Sequence, residues 1–529
     1  MPSMRRFTII PGFWPVTATG VLIIAALLVF YGMLDHQFLP NWDDDLYVSE
    51  NLCIRGFSLI NLQCAFSRTF VGNYAPVQML SYMFDYELWG LSPRGFLVTN
   101  LLLHIMTGVL LWRLAIRTGA TEAGALAAAL LFLVHPLQVE SVAWVSQRKT
   151  LLCAFFFFSS LHVWRSWRQL GGRWRFNLSL IFFILSLLSK SLAVVLPFVL
   201  LLHDRLLLGV RDRLSLFRPL IPFFAAACVA GLIAMSTQES WEGGGRASWH
   251  GGNPWATFWT MLPVYARYLA LLLWPAQLSA FYYQPVRSGP DWVSAGALAL
   301  IAVLAVLLVR LSKRNPQAGF WGGFALLGFL PVAQIVPLVT LMNDRYLYLP
   351  LAGVAGLFGW AVGRGAMMDN VLLRRLFLCT IAGVILTLAT RAHHRVPVWR
   401  DSFTLWSDAA AKEPDAGMPW LELAGLHYKA GRYGEAWNYY RHLHALNLKQ
   451  KGRDEGMGDL MLALALKLAE EGDLQGAEKT ALDSFSAADD GDLRPLRLLA
   501  DIRKRKGDAA AGRELQDLAR RLEAKEAGD

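Results

Sequence analysis

Residues 21–51 read VLIIAALLVFYGMLDHQFLPNWDDDLYVSEN. An unbroken apolar run gives way within a few residues to a turn carrying Asp43, Asp44 and Asp45. A helix needs about 20 mostly apolar residues to cross a bilayer. The run, taken back to residue 15, predicts a membrane helix over roughly 15–34 that delivers an acidic loop to the membrane surface. Further apolar stretches follow at roughly 95–115, 122–138, 150–166, 177–190, 191–205, 218–237, 292–311, 318–340, 346–363 and 374–391. They predict an all-α, polytopic protein with about eleven crossings. Composition agrees: the 529 residues are 55% hydrophobic and 17% charged, against about 25% charged in soluble chains. A soluble enzyme, a disordered chain and a disulfide scaffold are excluded as descriptions of the whole.

The formal net charge is +10. Its distribution argues against nucleic acid as the partner. Arg5 and Arg6 precede the first span, and Arg113, Arg117, Arg165, Arg168, Arg310, Lys313, Arg314, Arg374 and Arg375 sit in alternate loops. Basic loops mark the cytoplasmic side. The opposite loops hold Asp35, the Asp43–Asp45 run, Glu140 and Asp344. The expectation is a cytoplasmic N-terminus, a first span retained as a signal anchor, and an outer acidic face. Residues 255–285, rich in Trp and Tyr, must begin and end outside on this count, which predicts an interfacial or re-entrant unit.

Composition changes at about residue 395, dividing the chain into 1–394 and 395–529. The second part has no spanning run. Gly431, Gly472 and Gly507 recur between helical patterns, with Ala424, Ala465 and Ala500 seven residues before them. Small residues let paired helices approach, and the pattern matches tetratricopeptide (TPR) repeats of roughly 34 residues. A generic helical-hairpin domain is the plainer alternative. Cys53 and Cys64 share the first outer loop, either as a disulfide or as two free thiols.

Three adjacent carboxylates repel one another unless something uses them. They could hold a divalent cation such as Mg or Mn through Asp43 and Asp44, or accept a proton from an incoming hydroxyl. The bland reading is a solvated acidic turn. His104, His135, Glu140, Arg148, Lys149, Lys190, Asp344 and Arg345 stand in or beside the spans, where ionisable groups are costly. Most lie toward the outer ends, a cationic set suited to a phosphate. Snorkelling is the alternative for Arg148 and Lys149. Packing is the alternative for the two histidines.

Several stretches in order carry a family resemblance: WDDDLYVSEN at 42–51, YELWGLSPRGFLVTNLLLH at 86–104 and HPLQVESVAWVSQRK at 135–149. LLSKSLAVVLPFVLLLHD at 187–204, LLLWPAQLSAFYYQP at 271–285, NDRYLYLPLAG at 343–353 (with Tyr348) and VWRDSFTLW at 398–406 complete it. The chain resembles the transmembrane-and-TPR O-mannosyltransferases and their bacterial homologues, of the C-type (GT-C) glycosyltransferase superfamily. The resemblance implies a catalytic acidic motif in the first outer loop and a polyprenyl-phosphate monosugar as donor. It also implies a hydroxyl acceptor, most often Ser or Thr of a protein engaged through the TPR part. A short TPR tail favours a bacterial inner-membrane setting with the C-terminal part extracytoplasmic.

The expected roles are Asp44 as general base and Asp43 as positioning group or cation ligand. Arg345 is the first choice for the donor phosphate, followed by Arg148, Lys149 and Lys190. Attack opposite the phosphate would invert the anomeric centre. A glycan or lipid acceptor, a non-catalytic TPR scaffold and a lipid-linked sugar transporter are the competing readings.

Overall fold

The computed structural model describes residues 14–239, 248–430, 432–451, 457–487 and 493–526. Arg5, Arg6 and Gly431 lie outside them. The described residues are helical throughout, with one isolated bridge between Phe70 and Asn73 in place of any sheet. The chain divides into two compact units: residues 1–280 with 284–401, and residues 281–283 with 402–529.

The first unit contains α1 (Trp14–Phe30), α2 (Leu59–Ser67), α3 (Pro76–Trp89), α4 (Pro93–Arg117), α5 (Glu122–Val134), α6 (Val139–Ala143), α7 (Arg148–Leu170) and α8 (Arg173–Leu187). It continues with α9 (Leu196–Leu206), α10 (Arg213–Phe217), α11 (Ile221–Glu239), α12 (Pro254–Leu273), α13 (Trp292–Arg314), α14 (Pro316–Phe329), α15 (Tyr348–Gly365) and α16 (Val371–Arg395). Among the described residues, seven helical stretches are long and apolar enough to cross a membrane, and an eighth is present if the bent pair Glu122–Val134 and Pro136–Ala143 is one crossing. The protein is a multi-pass membrane protein.

Several expected spans take a different form. Residues 191–205 start as a 3-10 turn, Ser191–Val195, and leave α9 only 11 residues. Residues 318–340 are helical only to Phe329, because Pro331 and Pro337 interrupt the ladder and Gln334 adopts φ 57°. The stretch 255–285, expected as an interfacial or re-entrant unit, holds α12, a 20-residue helix long and apolar enough to span, followed by irregular chain. Pro263 lies inside α12 without ending it.

Glycine lets α5 and α15 cross with their backbones in contact. A Cβ at Gly124 of α5 would run into the carbonyl oxygen of Gly359 on α15, and a Cβ at Gly359 would meet that of Gly124. Small residues at such contacts let membrane helices pack backbone to backbone. The chain between α5 and α7, residues 135–147, folds as short turns that are almost wholly buried. The acidic loop after α1 lies on this segment.

The second unit holds α17 (Ser402–Lys412), α18 (Gly417–Lys429), α19 (Tyr433–Lys451), α20 (Met457–Glu470), α21 (Leu474–Ala487), α22 (Arg494–Arg505) and α23 (Ala509–Glu526). Three consecutive hairpins, α18–α19, α20–α21 and α22–α23, pack side by side. Ala424, Ala436, Ala465, Ala477 and Ala500 are all fully buried. Gly472 and Gly507 turn the chain at φ 90° and 89°, a backbone that side chains rarely adopt.

Candidate active site

The acidic loop is held by one of its own carboxylates. Asp44 is 1% exposed. Its Oδ2 accepts from Leu39 N at 2.8 Å, and its Oδ1 accepts from Ser146 N at 2.9 Å and from the Ser146 hydroxyl. These bonds tie the loop to the segment before α7. Burial pushes the Asp44 carboxyl up to about 7, against the opposing pull of the Ser146 and Leu39 donors. Asp45 accepts from the adjacent Leu46 N on the exposed side of the loop.

Asp43 is placed differently. Its φ of 72° puts it in the left-handed region, which few residues other than Gly, Asn and Asp adopt readily. It is only partly buried, and its carboxylate accepts no hydrogen bond from the described residues. Lys149 and Arg345 lie within electrostatic reach of it. Burial still holds its carboxyl above the usual range, with those two cations pulling the other way. Asp44 has both oxygens engaged and is an anchor, whereas Asp43 is the carboxylate open to an incoming group.

The cations divide as well. Arg148 has a wholly buried side chain. It pairs with Asp85 at 2.7 Å, donates to the Phe96 carbonyl at 2.6 Å, bonds the Asn100 side chain and lies over the Tyr82 ring. Contrary to expectation, it is a core ion pair between α3, α4 and α7, with no face left for a phosphate. Lys149 donates to Tyr47 Oη at 2.9 Å and sits 4.5 Å from the centre of that ring. Lys190 donates to Thr150 Oγ1 at 2.8 Å. It lines a small cavity bounded by residues 72–75, 187–191 and the α11 side chains Ala230, Ile233, Ala234 and Thr237. Arg345 donates through its side chain to Glu140 Oε1, and its N–H donates to Glu140 Oε2 at 2.9 Å. Its guanidinium lies 5.4 Å from the Trp144 ring centre. Trp144 in turn stacks between Trp42 and Trp399, at 5.5 and 5.8 Å. Lys149 and Arg345 act on the Asp43 carboxylate, and Lys190 lies within electrostatic reach of those two cations.

The remaining candidates are structural. His104 uses both ring nitrogens, on Tyr348 Oη at 2.9 Å and the Leu133 carbonyl at 3.1 Å, among Phe30 and Phe132. Tyr348 is thereby fixed to the same core. His135 accepts from Leu137 N and meets the Leu272 carbonyl, both at 3.3 Å. Asp344 is buried at the start of the turn that carries Arg345. No group of three His, Cys, Asp or Glu side chains fit to hold a metal occurs among the described residues. Each Asp44 oxygen already accepts a hydrogen bond and Asp43 faces Lys149 and Arg345, an arrangement unlike the oxygen-rich shell a divalent cation takes.

Sequence reasoning missed Ser146 and Asp85, the partners that settle Asp44 and Arg148. Ser146 lies in the 135–149 stretch already singled out. A buried arginine needs a carboxylate, a signal that could have prompted a search for Asp85. The loop also carries the Cys53–Cys64 disulfide.

Comparison with known proteins follows this geometry. Mouse protein O-mannosyl-transferase TMTC4 is 26% identical over 427 residues, 69% of this chain and 56% of its own length. The resemblance read from the motifs holds. This chain is similar to the protein O-mannosyl-transferases. Fruit-fly Tmtc2 is 30% identical over 220 residues, 39% of this chain and 24% of its own length, and human TMTC4 is 24% identical over 423. The chain spans about half the length of the two TMTC4 relatives. Two solved structures also align, each with a TM-score of 0.40. One is the oligosaccharyltransferase of Archaeoglobus fulgidus, tethered with an acceptor peptide (13% identity, 81% of this chain and 59% of that one). The other is ArnT from Cupriavidus metallidurans bound to undecaprenyl phosphate (14%, 86% and 80%). No protein-family model matches.

Proposed function

We propose that this protein is a membrane glycosyltransferase that moves a monosaccharide from a polyprenyl-phosphate donor to a hydroxyl acceptor, a Ser or Thr of an envelope protein. The observation that carries the proposal is the open Asp43 carboxylate beside Lys149 and Arg345, with Lys190 behind them. A sugar on a lipid phosphate already has a stable anion as leaving group. The acceptor hydroxyl is a poor nucleophile, and its proton becomes acidic only as the new bond forms. Asp43 takes that proton. The three cations neutralise the phosphate as its bond to the sugar breaks. Attack opposite the phosphate inverts the anomeric centre. Asp44 acts through Asp43, as a positioning residue that fixes the turn.

The similarity to O-mannosyl-transferases supports the reading. In this proposal the site faces the outside of a bacterial inner membrane, and the hairpins of 395–529 are TPR-like and hold the acceptor protein. The decisive test uses purified full-length protein, polyprenyl-phosphate hexoses and Ser/Thr peptides. Transfer that Asp43→Asn abolishes supports the proposal. A wild-type rate in Asp43→Asn would remove it. Comparing envelope proteins and glycans by mass spectrometry, with and without the gene, separates a protein acceptor from a glycan or lipid one.

A further inference from the structure

At the end of the bundle opposite the acidic loop, four arginines gather at the C-terminal ends of α4 and α7. Arg113 and Arg117 stand one turn apart on α4, and Arg165 and Arg168 lie on α7. A single carboxylate, Asp204 of α9, serves them, and it is already filled. Its Oδ1 accepts from Trp164 Nε1 at 3.0 Å and from His203 Nδ1 at 2.9 Å, and its Oδ2 accepts from Arg168 Nε at 2.6 Å. Arg168 is thus neutralised, and its Nη2 donates to the Ser215 carbonyl.

The other three are not. Arg117 Nη1 donates to His162 Nδ1 at 3.4 Å and Ser166 Oγ at 3.3 Å. Arg165 donates to His203 Nε2 at 3.0 Å and to the Arg117 carbonyl. Both histidines are neutral acceptors here. His162 donates its Nε2 proton to the Leu110 carbonyl and His203 its Nδ1 proton to Asp204, so each turns a lone pair toward an arginine. Arg165 Nε is buried with no partner, and Arg113 has no hydrogen bond or ion pair to the described residues. The charges of Arg117, Arg113 and Arg165 all act on His162. Three guanidinium groups thus share one corner of the bundle, where Asp204, the one carboxylate among the described residues shown to act on Arg165, is already engaged by Arg168, His203 and Trp164.

We propose that Arg113, Arg117 and Arg165 form a binding site for the phosphate headgroup of an anionic phospholipid. The planar guanidinium fork matches phosphate oxygens. The site lies at the end of the apolar, membrane-length helix α4, at the depth of lipid headgroups. Basic pockets between membrane helices bind such headgroups, each basic residue contributing about 1 kcal/mol. This inference is independent of the proposed transfer reaction and of which leaflet the site faces.

The test is a thermal-unfolding titration of the full-length protein in neutral detergent, with phosphatidylglycerol, phosphatidylcholine or inorganic phosphate. Phosphatidylglycerol is expected to raise the Tm saturably and phosphatidylcholine to do little. Arg113→Gln, which breaks no internal bond, should weaken the apparent affinity about fivefold, and the Arg113→Gln/Arg117→Gln pair about thirtyfold. Neutralising Lys313 and Arg314 instead, at the end of α13, should leave the affinity unchanged. Equal stabilisation of wild type and Arg113→Gln would overturn the site. Equal loss in the α13 variant would reduce it to general charge. Full stabilisation by inorganic phosphate alone would make it a soluble-anion site and overturn the lipid assignment.

Discussion

Asp43 and Asp44 are adjacent, yet their environments separate them, and substitutions should do the same. Asp43→Asn keeps the turn and loses the proton acceptor. Transfer should fall about 10²–10⁴-fold while the Tm stays near wild type, which paired activity and unfolding assays will show. Asp44→Asn places an amide N–H against donors that need an acceptor. It should cost about 1–3 kcal/mol of stability and lower activity only through the displaced turn. Asp45→Asn should change little. The raised Asp43 carboxyl takes up its proton at a higher pH than an ordinary aspartate, and once protonated it cannot act as a base. The kcat/KM of the wild type should therefore fall toward low pH, with its midpoint above the ordinary aspartate value of 3.8. Asp44 adds a stability signature of the opposite sense. Between pH 3.8 and about 7 the folded protein holds its proton more tightly than the unfolded chain. Stability should decline as pH rises through that window, and in Asp44→Asn the decline should be absent. The acidic motif was legible in sequence because three carboxylates in a row are costly. The division of labour was not. It depends on one left-handed residue and on a serine 102 positions away.

Among the elements, the contact of α5 with α15 is the most exacting. Gly124→Leu should prevent their approach and lower the yield of folded protein, read by size-exclusion profile and Tm, whereas Gly20→Leu on α1, where no atom lies near, should be tolerated. In the outer loop, the disulfide closes the chain across α2. Replacing both Cys53 and Cys64 with Ser should reduce stability by about 2–4 kcal/mol, visible as a lower Tm that reductant no longer changes. Non-reducing peptide mapping of the native protein should recover the linked pair. Long apolar helices such as α4, α13 and α16 were readable from hydropathy alone. Helices α8, α9 and α14 were harder: their apolar runs continue through 3-10 turns and prolines, and hydropathy does not record where a backbone ladder stops. In α7, Arg148 reads as a snorkelling cation until Asp85 is brought beside it from α3.

On the scale of the whole chain, the alternation of basic and acidic loops predicts that residue 529 lies outside the cytoplasm. A reporter active only in the cytoplasm, fused after Asp529, should be silent, and activity there would reverse the orientation. The helical hairpins beyond residue 402 were foreshadowed by alternating Ala and Gly spacing, because close helix pairing leaves room only for small side chains. How many helices cross was less legible, since a bent pair such as Glu122–Val134 and Pro136–Ala143 has the apolar length of one crossing without its straight path.

The backbone at residue 43 has a bearing on descent as well as on chemistry. A left-handed φ is readily tolerated by glycine, asparagine and aspartate and resisted by most others. Position 43 therefore draws on an alphabet of about three letters, of which one can accept a proton. A copy of this protein freed from its chemistry could change that letter in a single step and keep its turn. The residue found there would then sort working enzymes from silent descendants more sharply than overall similarity does.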